Sequence, residues 1–135
     1  MSSIEIIENL YNAFKRKDYD AFLALCSEDI EWIQNKGFPK GGHHHGADAV
    51  IKNVFKQFEK DWNYFNFNME EMFESQDGSK VTVIGTYVGE HKRTGRQMEA
   101  AAVHIYEIEN WKVKRFRQFT DTAMIIKAME RLITN

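Results

Sequence analysis

The fold of this chain is decided by two adjoining stretches: Arg96-Gln-Met-Glu-Ala-Ala-Ala-Val-His-Ile-Tyr-Glu-Ile108 and, after a tight turn, Trp111-Lys-Val-Lys-Arg-Phe-Arg-Gln-Phe-Thr-Asp-Thr-Ala123. Both stretches are rich in β-branched and aromatic residues, so they predict a hairpin of two unusually long strands joined through Glu109-Asn110. His104 and Gln118 are isolated polar residues among apolar neighbours. Long curved strands with a few inward polar groups are typical of a small protein that encloses one ligand cavity.

Upstream of the hairpin, the chain has the period of helices. Ser2 and Glu5 have the spacing of a capping box, and Asp18 is a candidate N-cap for a second, short helix. The predicted apolar faces are Ile7, Leu10, Tyr11 and Phe14 on the first helix, Phe22, Leu25 and Cys26 on the second, and Val50, Ile51, Val54, Phe55, Phe58 and Trp62 on the third. The third face is so broad that we expect it to lie against a sheet.

Strand signals separate and follow these helices. Residues 30–33 predict a short strand, and residues 35–46, with the only proline and four glycines, predict a loop. From Tyr64 onward the period is two, and Asp77-Gly78 predicts a hairpin into residues 81–88. Arg93-Thr-Gly95 predicts a further turn, and Ile125, Ala128, Met129 and Leu132 predict a closing helix. Helices followed by antiparallel strands indicate an α+β fold, with a curved sheet whose concave side the helices cover.

Composition limits the protein class. The 135 residues contain no linker-like segment and are 43% hydrophobic and 13% aromatic, which predicts a single domain over residues 1–135 with one core. The net charge of −2 does not favour nucleic acid, and no segment has the length of a membrane span or the pattern of a signal peptide. The lone Cys26 fits a reducing compartment, so we expect a cytoplasmic protein with no nucleic-acid or membrane partner.

Several segments together resemble the nuclear transport factor 2-like superfamily, and more closely its SnoaL-like, ketosteroid-isomerase-related branch. They are Asp18-Tyr-Asp-Ala-Phe-Leu-Ala-Leu25, Asp29-Ile-Glu-Trp32, Gly41-Gly-His-His-His-Gly46, Ala49-Val50, Asn53-Val-Phe55, Ala102-Val-His-Ile105 and Lys112-Val-Lys-Arg-Phe-Arg-Gln-Phe-Thr-Asp-Thr-Ala123. The resemblance implies a cone-shaped, curved, antiparallel (mixed) sheet with three N-terminal helices on its concave face. It is less specific for the reaction, because this superfold hosts isomerases, dehydratases, cyclases, epoxide hydrolases and non-catalytic binders.

The resemblance to the best-understood enzymes of the superfamily is selective. In ketosteroid isomerase, an Asp on the first short strand is the general base, and the matching position here is Ile33. Its oxyanion hole pairs a Tyr and an Asp, to which Tyr11 and His104 come close. Limonene epoxide hydrolase uses an Arg and two Asp on the long strands, but Gln118 matches the final-strand acid and no Arg stands near Ala102. Each mechanism therefore lacks a required residue.

Two residues are candidate catalytic groups. His104 is either an acid, base or hydrogen-bond donor that faces the pocket, or a core histidine paired with a neighbouring hydroxyl or carbonyl. Asp121 is either a general base at the mouth of the cavity or the N-cap of the closing helix, and the sequence favours the cap. Gln118 is expected beside His104 across the hairpin, where its amide binds but does not transfer protons. The other predicted ligand-binding residues, which also suit a plain core, are Tyr11, Trp32, Val54, Phe55, Phe58, Trp62, Ala102 and Phe116.

The run His43-His-His45 raises the possibility of a metal site. Three consecutive imidazoles in a loop cannot converge on one ion with good geometry, and no acid or Cys cluster has ligand spacing, so we expect no metal. The chain also has no nucleotide-binding or nucleophile motif, and we expect no cofactor.

Two functional hypotheses follow from these residues. The first is a cofactor-independent isomerase, cyclase or dehydratase that acts on a small apolar carbonyl compound. The alternative is a non-catalytic dimeric domain that binds a ligand or serves as a scaffold. In either case alternate strand residues such as Val103, Ile105 and Phe119 would form an apolar patch on the uncovered face of the sheet, which predicts a homodimer that pairs sheet to sheet.

Overall fold

The computed structural model describes residues 1–39 and 41–130 and has the expected α+β architecture. Its helices are α1 (Ser3–Arg16), α2 (Tyr19–Leu25), α3 (Ala47–Val50), α4 (Lys56–Asp61) and α5 (Thr122–Met129), and a π-helical turn (Ile51–Phe55) joins α3 to α4. Its strands are β1 (Cys26–Ile33), β2 (His43–His45), β3 (Trp62–Glu74), β4 (Lys80–His91), β5 (Gln97–Glu109) and β6 (Lys112–Thr120). None of the described helices is long and apolar enough to cross a membrane.

The six strands form one mixed sheet in the order β2-β1-β6-β5-β4-β3. Strands β3 to β6 form an antiparallel meander, β1 runs parallel to β6, and β2 pairs antiparallel with β1. The β5–β6 register places His104 directly opposite Gln118, which confirms the predicted hairpin pairing. Because directly opposed residues project to the same face of a sheet, both polar side chains point toward the helices.

Helices α1 and α2 begin where their capping residues predict. The Ser2 side chain accepts a hydrogen bond from the backbone N–H of Glu5, and the Asp18 side chain accepts one from Ala21. Helix α1 ends at Arg16, and the next residue, Lys17, has the left-handed backbone conformation that commonly stops a helix, with a φ of 55°. The buried face of α1, which consists of Ile6, Ile7, Leu10 and Ala13, has the predicted helical spacing.

Two core clusters cover the concave face of the sheet. The larger one joins α1, α2 and the helical segment of residues 47–61 to β1, the start of β4, the end of β5 and the first half of β6. The smaller one places Ile125 and Ala128 of α5 over Met98, Ala100 and Ala102 of β5. Helix α5 is thus an additional cover for the sheet, next to the N-terminal helices that the resemblance implied.

Some predicted boundaries were wrong. Strand β1 begins at Cys26, well before the predicted residue 30, and His43–His45 is a strand instead of part of a loop. The β5–β6 turn consists of Asn110 and Trp111, with φ values of 53° and 64°. A two-residue hairpin of this kind needs positive φ at both positions, so Trp111 belongs to the turn and not to β6. Leu132, predicted for the closing helix, lies outside the described residues.

Candidate ligand-binding cavity

A cavity lies between α1, the helical segment of residues 47–61 and the concave face of the sheet. Its apolar wall consists of Leu10, Phe14, Phe22, Trp32, Val54, Phe55, Phe58, Phe65, Phe67 and Phe116. Its polar residues are Tyr11, Gln34, Tyr87, His104, Tyr106 and Gln118. The space open to the centre of a water molecule is about 40 Å³, and no charged side chain is among these lining residues. A mostly apolar enclosure with a few polar groups is typical of a small-molecule site.

The polar residues form one chain of hydrogen bonds. The Tyr106 hydroxyl donates to the Tyr11 hydroxyl at 3.1 Å, and the Tyr11 hydroxyl lies 2.7 Å from His104 Nδ1. On the other side of the ring, the Tyr87 hydroxyl lies 2.6 Å from His104 Nε2. Gln118 Nε2 donates to the same Tyr87 hydroxyl at 2.7 Å. His104 is therefore held by tyrosine hydroxyls at both ring nitrogens, and its ring does not bond to the backbone.

Each member of this chain comes from a different part of the fold. Tyr11 projects from α1, Tyr87 from β4, His104 and Tyr106 from β5, and Gln118 from β6. Tyr106 shares the inward face with His104 because it lies two residues along the same strand. Phe67 of β3 stacks on the His104 ring, with centroids 4.1 Å apart and an angle of 25° between the planes. The imidazole is thus fixed in orientation by contacts from α1 and from the strands β3, β4 and β6.

Burial determines the charge of these groups. His104 is only 4% exposed, and desolvation lowers the pKa of its imidazole to about 3. Desolvation also raises the pKa of the Tyr11, Tyr87 and Tyr106 hydroxyls well above their ordinary value. At neutral pH all four groups are therefore uncharged, and His104 carries one ring proton.

The chain of hydrogen bonds around His104 has one more proton than it has acceptors for. A neutral imidazole donates at one nitrogen and accepts at the other. If Nδ1 carries the proton it donates to Tyr11, which already accepts from Tyr106, and the Tyr11 proton has no acceptor in the chain. If Nε2 carries it, the ring donates to Tyr87, which already accepts from Gln118, and the Tyr87 proton is then the spare one. Either tautomer leaves one hydroxyl proton for another acceptor.

Two further polar groups border the cavity. The indole N–H of Trp32 is buried and has no hydrogen-bond partner among the described residues. Gln34 is 5% exposed, and its backbone N–H donates to the Gly42 carbonyl. Both residues line the cavity from the end of β1, whose alternation turns Ile33 away from it. Buried polar groups in proteins are normally hydrogen-bonded, so this N–H is a candidate donor to a ligand.

A pair of stacked rings borders both the cavity and two outer clefts. The rings of Phe58 and Phe65 lie 4.3 Å apart with an angle of 5° between them. Both residues line the inner cavity and also two outer clefts of about 190 Å³ and about 160 Å³. Because Phe58 is shared by all three spaces, a rotation of its side chain would join the inner cavity to the outer clefts.

The structure brings together most of the residues singled out from the sequence. His104, Tyr11, Trp32, Val54, Phe55, Phe58, Phe116 and Gln118 all line the cavity. Trp62 lines the two outer clefts instead, and Ala102 packs in the smaller core cluster with Ile125 and Ala128 of α5. Asp121 is exposed at the N-cap position of α5, where its side chain makes no capping hydrogen bond, and it does not line the cavity.

Sequence reasoning missed three polar cavity residues, Tyr87, Gln34 and Tyr106, and the apolar Leu10, Phe14, Phe22 and Phe67. Local signals existed for two of the polar residues, because Gln34 alternates with Trp32 and Tyr106 alternates with His104. Tyr87 was harder to find, since its approach to His104 depends on the pairing of β4 with β5, in which Tyr87 lies opposite Ala100. Its hydroxyl reaches His104 from four residues further along the pair, at 2.6 Å from Nε2.

Comparisons with known proteins identify the family of this chain. The family model described as "SnoaL-like domain" matches residues 7–116. An NTF2-like protein from Burkholderia thailandensis is 31% identical, with 96% of this chain and 98% of that one covered and a TM-score of 0.90. An NTF2-like protein of unknown function from Burkholderia pseudomallei is 28% identical over 95% and 98% of the chains, with a TM-score of 0.85. No protein of curated function matches the chain.

Proposed function

Because the chain belongs to the family of SnoaL-like domains, we propose that its cavity binds a small, mostly apolar compound that carries a carbonyl or a similar hydrogen-bond acceptor. The apolar wall provides most of the binding free energy, since burial of apolar surface contributes about 25 cal/mol per Å². The acceptor of the ligand orients the compound against the hydrogen-bond chain around His104. No cofactor takes part in this proposal.

The observation that carries the proposal is the spare hydroxyl proton of Tyr11 or Tyr87. An acceptor on the ligand would satisfy it, and Trp32, whose buried N–H has no partner among the described residues, also lines the cavity. A ligand that carries only donors would leave the spare proton unpaired, and a buried unpaired donor costs about 1–3 kcal/mol. The cavity therefore favours acceptors over donors.

The same geometry supports a catalytic version of the proposal, in which the protein is an isomerase, cyclase or dehydratase. A hydroxyl that donates to a carbonyl oxygen stabilises the negative charge that develops when a neighbouring carbon loses a proton. Tyr11 and Tyr87 are the candidate donors, and His104 sets which of them is free. This reaction also needs a base that takes the proton from carbon.

The alternative is a binding domain without catalysis, and one observation favours it. The cavity-lining residues within the described ranges include no carboxylate, and His104 is a weak base because burial lowers its pKa to about 3. Asp121, the acid predicted from the sequence, lies outside the cavity. For the catalytic version, the base would have to be a ligand group, a water molecule or an acid that moves into the cavity.

An exchange experiment separates the two versions. Cyclohexanone is incubated with the protein in D₂O, and the loss of its α-proton NMR signal is followed beside a protein-free sample. Saturation-transfer difference spectra from the same samples report binding. We expect the ketone to bind; exchange faster than in buffer, reduced in Tyr11→Phe or Tyr87→Phe, supports the catalytic version. Binding without exchange supports the binding domain, and a set of small ketones that all fail to bind contradicts the proposal.

We also propose that two copies of the chain pair through the outer face of the sheet, in the cytoplasm. The outer face carries Ile84, Val103 and Phe119 in adjacent register, and Phe119 is 44% exposed. Exposed apolar side chains in a contiguous patch favour a protein partner over solvent. A two-fold axis would bury the patch of each copy against the other.

A further inference from the structure

Two of the three consecutive histidines share one face of β2 with an acid of the neighbouring strand. Side chains alternate along a strand, so His43 and His45 project to the same side and His44 to the other. Their imidazole rings stack with centroids 4.4 Å apart. Glu31 lies directly opposite His45 in the β1–β2 register, and the ligand-type atoms of Glu31, His43 and His45 all lie within 4.8 Å of one another. The strand pairing thus assembles two imidazoles and one carboxylate.

The distances in this cluster are close to those of a metal site. His45 Nε2 lies 3.9 Å from Glu31 Oε1, and His43 Nε2 lies 4.0 Å from Glu31 Oε2. Ligands at about 2.0–2.1 Å from a tetrahedral ion lie about 3.3 Å apart. The two Glu–His distances need to shorten by less than about 1 Å and the widest separation in the cluster, up to 4.8 Å, by about 1.5 Å, and rotations of the three side chains provide such changes.

Neighbouring charges hold the carboxylate in place. Arg115 Nε donates to Glu31 Oε2 at 2.9 Å, and Arg115 Nη1 donates to Glu107 Oε2 at 2.9 Å. A carboxylate that ligates a metal is commonly fixed by such a second hydrogen bond. Arg115 offsets one of the two carboxylates, so Glu31, Glu107 and Arg115 together carry one net negative charge.

We propose that Glu31, His43 and His45 bind one divalent transition-metal ion where β2 pairs with β1. The candidate ions are Zn²⁺, Ni²⁺ and Cu²⁺. Imidazole nitrogen suits these ions, whereas Mg²⁺ and Ca²⁺ prefer sites made of oxygen ligands. The sequence argument against a metal treated the three histidines as a loop in which all three rings would have to converge. In a strand only the alternate rings have to meet, and water completes the coordination.

Calorimetry with a matched control tests the site. Tag-free protein is treated with a chelator, dialysed and titrated with Zn²⁺ and, separately, with Mg²⁺. We expect one Zn²⁺ per chain and no Mg²⁺ binding. His43→Ala, His45→Ala and Glu31→Gln should each weaken Zn²⁺ binding at least about tenfold. His44→Ala, in the same strand but facing the other way, should leave Zn²⁺ binding unchanged.

A spectroscopic readout makes the test independent of how well each variant folds. In wild-type protein, Zn²⁺ should shift the imidazole NMR signals of His43 and His45 and leave those of the buried His91 and His104 in place. Zn²⁺ affinity weaker than about 1 mM would overturn the proposal. So would an equal loss of affinity in His44→Ala, or binding that persists when His43 and His45 are both replaced by Ala.

Discussion

Replacement of His104 by Phe tests the hydrogen-bond chain. The new ring has a similar size, but it lacks both of the nitrogen atoms that bond to Tyr11 and Tyr87. Tyr11 keeps its bond from Tyr106, and Tyr87 keeps its bond from Gln118, so neither hydroxyl is left without any partner. Two lost hydrogen bonds at about 0.5–1.5 kcal/mol each predict a loss of about 1–3 kcal/mol in the free energy of unfolding near pH 7.

The pH dependence of the same variant is a sharper test. The pKa of His104 is about 3 in the folded protein and 6.5 as the ordinary value, so the unfolded chain binds more protons than the folded one between these values. Stability from the neutral His104 is therefore complete above about pH 6.5 and is lost as the pH falls toward about 3. Between about pH 7 and about pH 4.5 this loss amounts to about 2.5 kcal/mol in wild-type protein.

The variant has no imidazole at this position and does not lose that stability. The difference in the free energy of unfolding between wild-type and His104→Phe should therefore shrink by about 2.5 kcal/mol between about pH 7 and about pH 4.5. Urea unfolding of both proteins in the presence of a chelator measures this difference. A constant difference across this pH range would refute the assignment of His104 as a buried neutral imidazole.

Three other predictions follow from the cavity, the sheet and the core. Phe58→Ala should join the inner cavity to the outer clefts at a loss of about 2 kcal/mol in stability. Bicyclic ketones should then bind the variant more tightly than they bind wild-type protein in thermal-shift titrations. An unchanged dependence of affinity on ligand size would contradict the role of the Phe58 ring in separating these spaces. Phe119→Glu should shift sedimentation from dimer toward monomer, whereas Met124→Glu, on helix α5 at the opposite side of the sheet, should not; equal effects would argue against the outer-face dimer. The Cys26 thiol, whose pKa is raised to about 12 by burial, should react with a disulfide reagent only through unfolding, and rapid labelling of native protein would contradict its position in the core.

Much of the fold was predictable because its signals are local. The caps of α1 and α2 lie within three residues of the groups that they bond, and the alternation of β5 and β6 identifies the inward face that holds His104 and Gln118. A hairpin register follows from the turn and the apolar alternation together. The predicted opposition of His104 and Gln118 was therefore confirmed.

The parts that were not predicted depend on contacts between distant segments. Ala102 lies on the inward face, as its alternation with His104 indicates, but the docking of α5 assigns it to the smaller core cluster. Nothing near Tyr87 in the sequence indicates that its hydroxyl meets His104. The pairing of β2 with β1 likewise turned a predicted loop into a strand, and this pairing brings His43 and His45 to Glu31.

The central claim is that the cavity presents a spare hydrogen-bond donor to its ligand, and a pair of ligands of equal shape tests it most directly. Cyclohexanone and methylenecyclohexane differ only in an oxygen or a CH₂ group at one position, and their dissociation constants are measured on the same wild-type protein. A cavity without a donor would bind the hydrocarbon more tightly by about 5- to 150-fold, because the buried carbonyl would lose its hydrogen bond to water at about 1–3 kcal/mol. The account predicts that the ketone binds at least as tightly as the hydrocarbon, and a hydrocarbon that binds more than about fivefold tighter would contradict it.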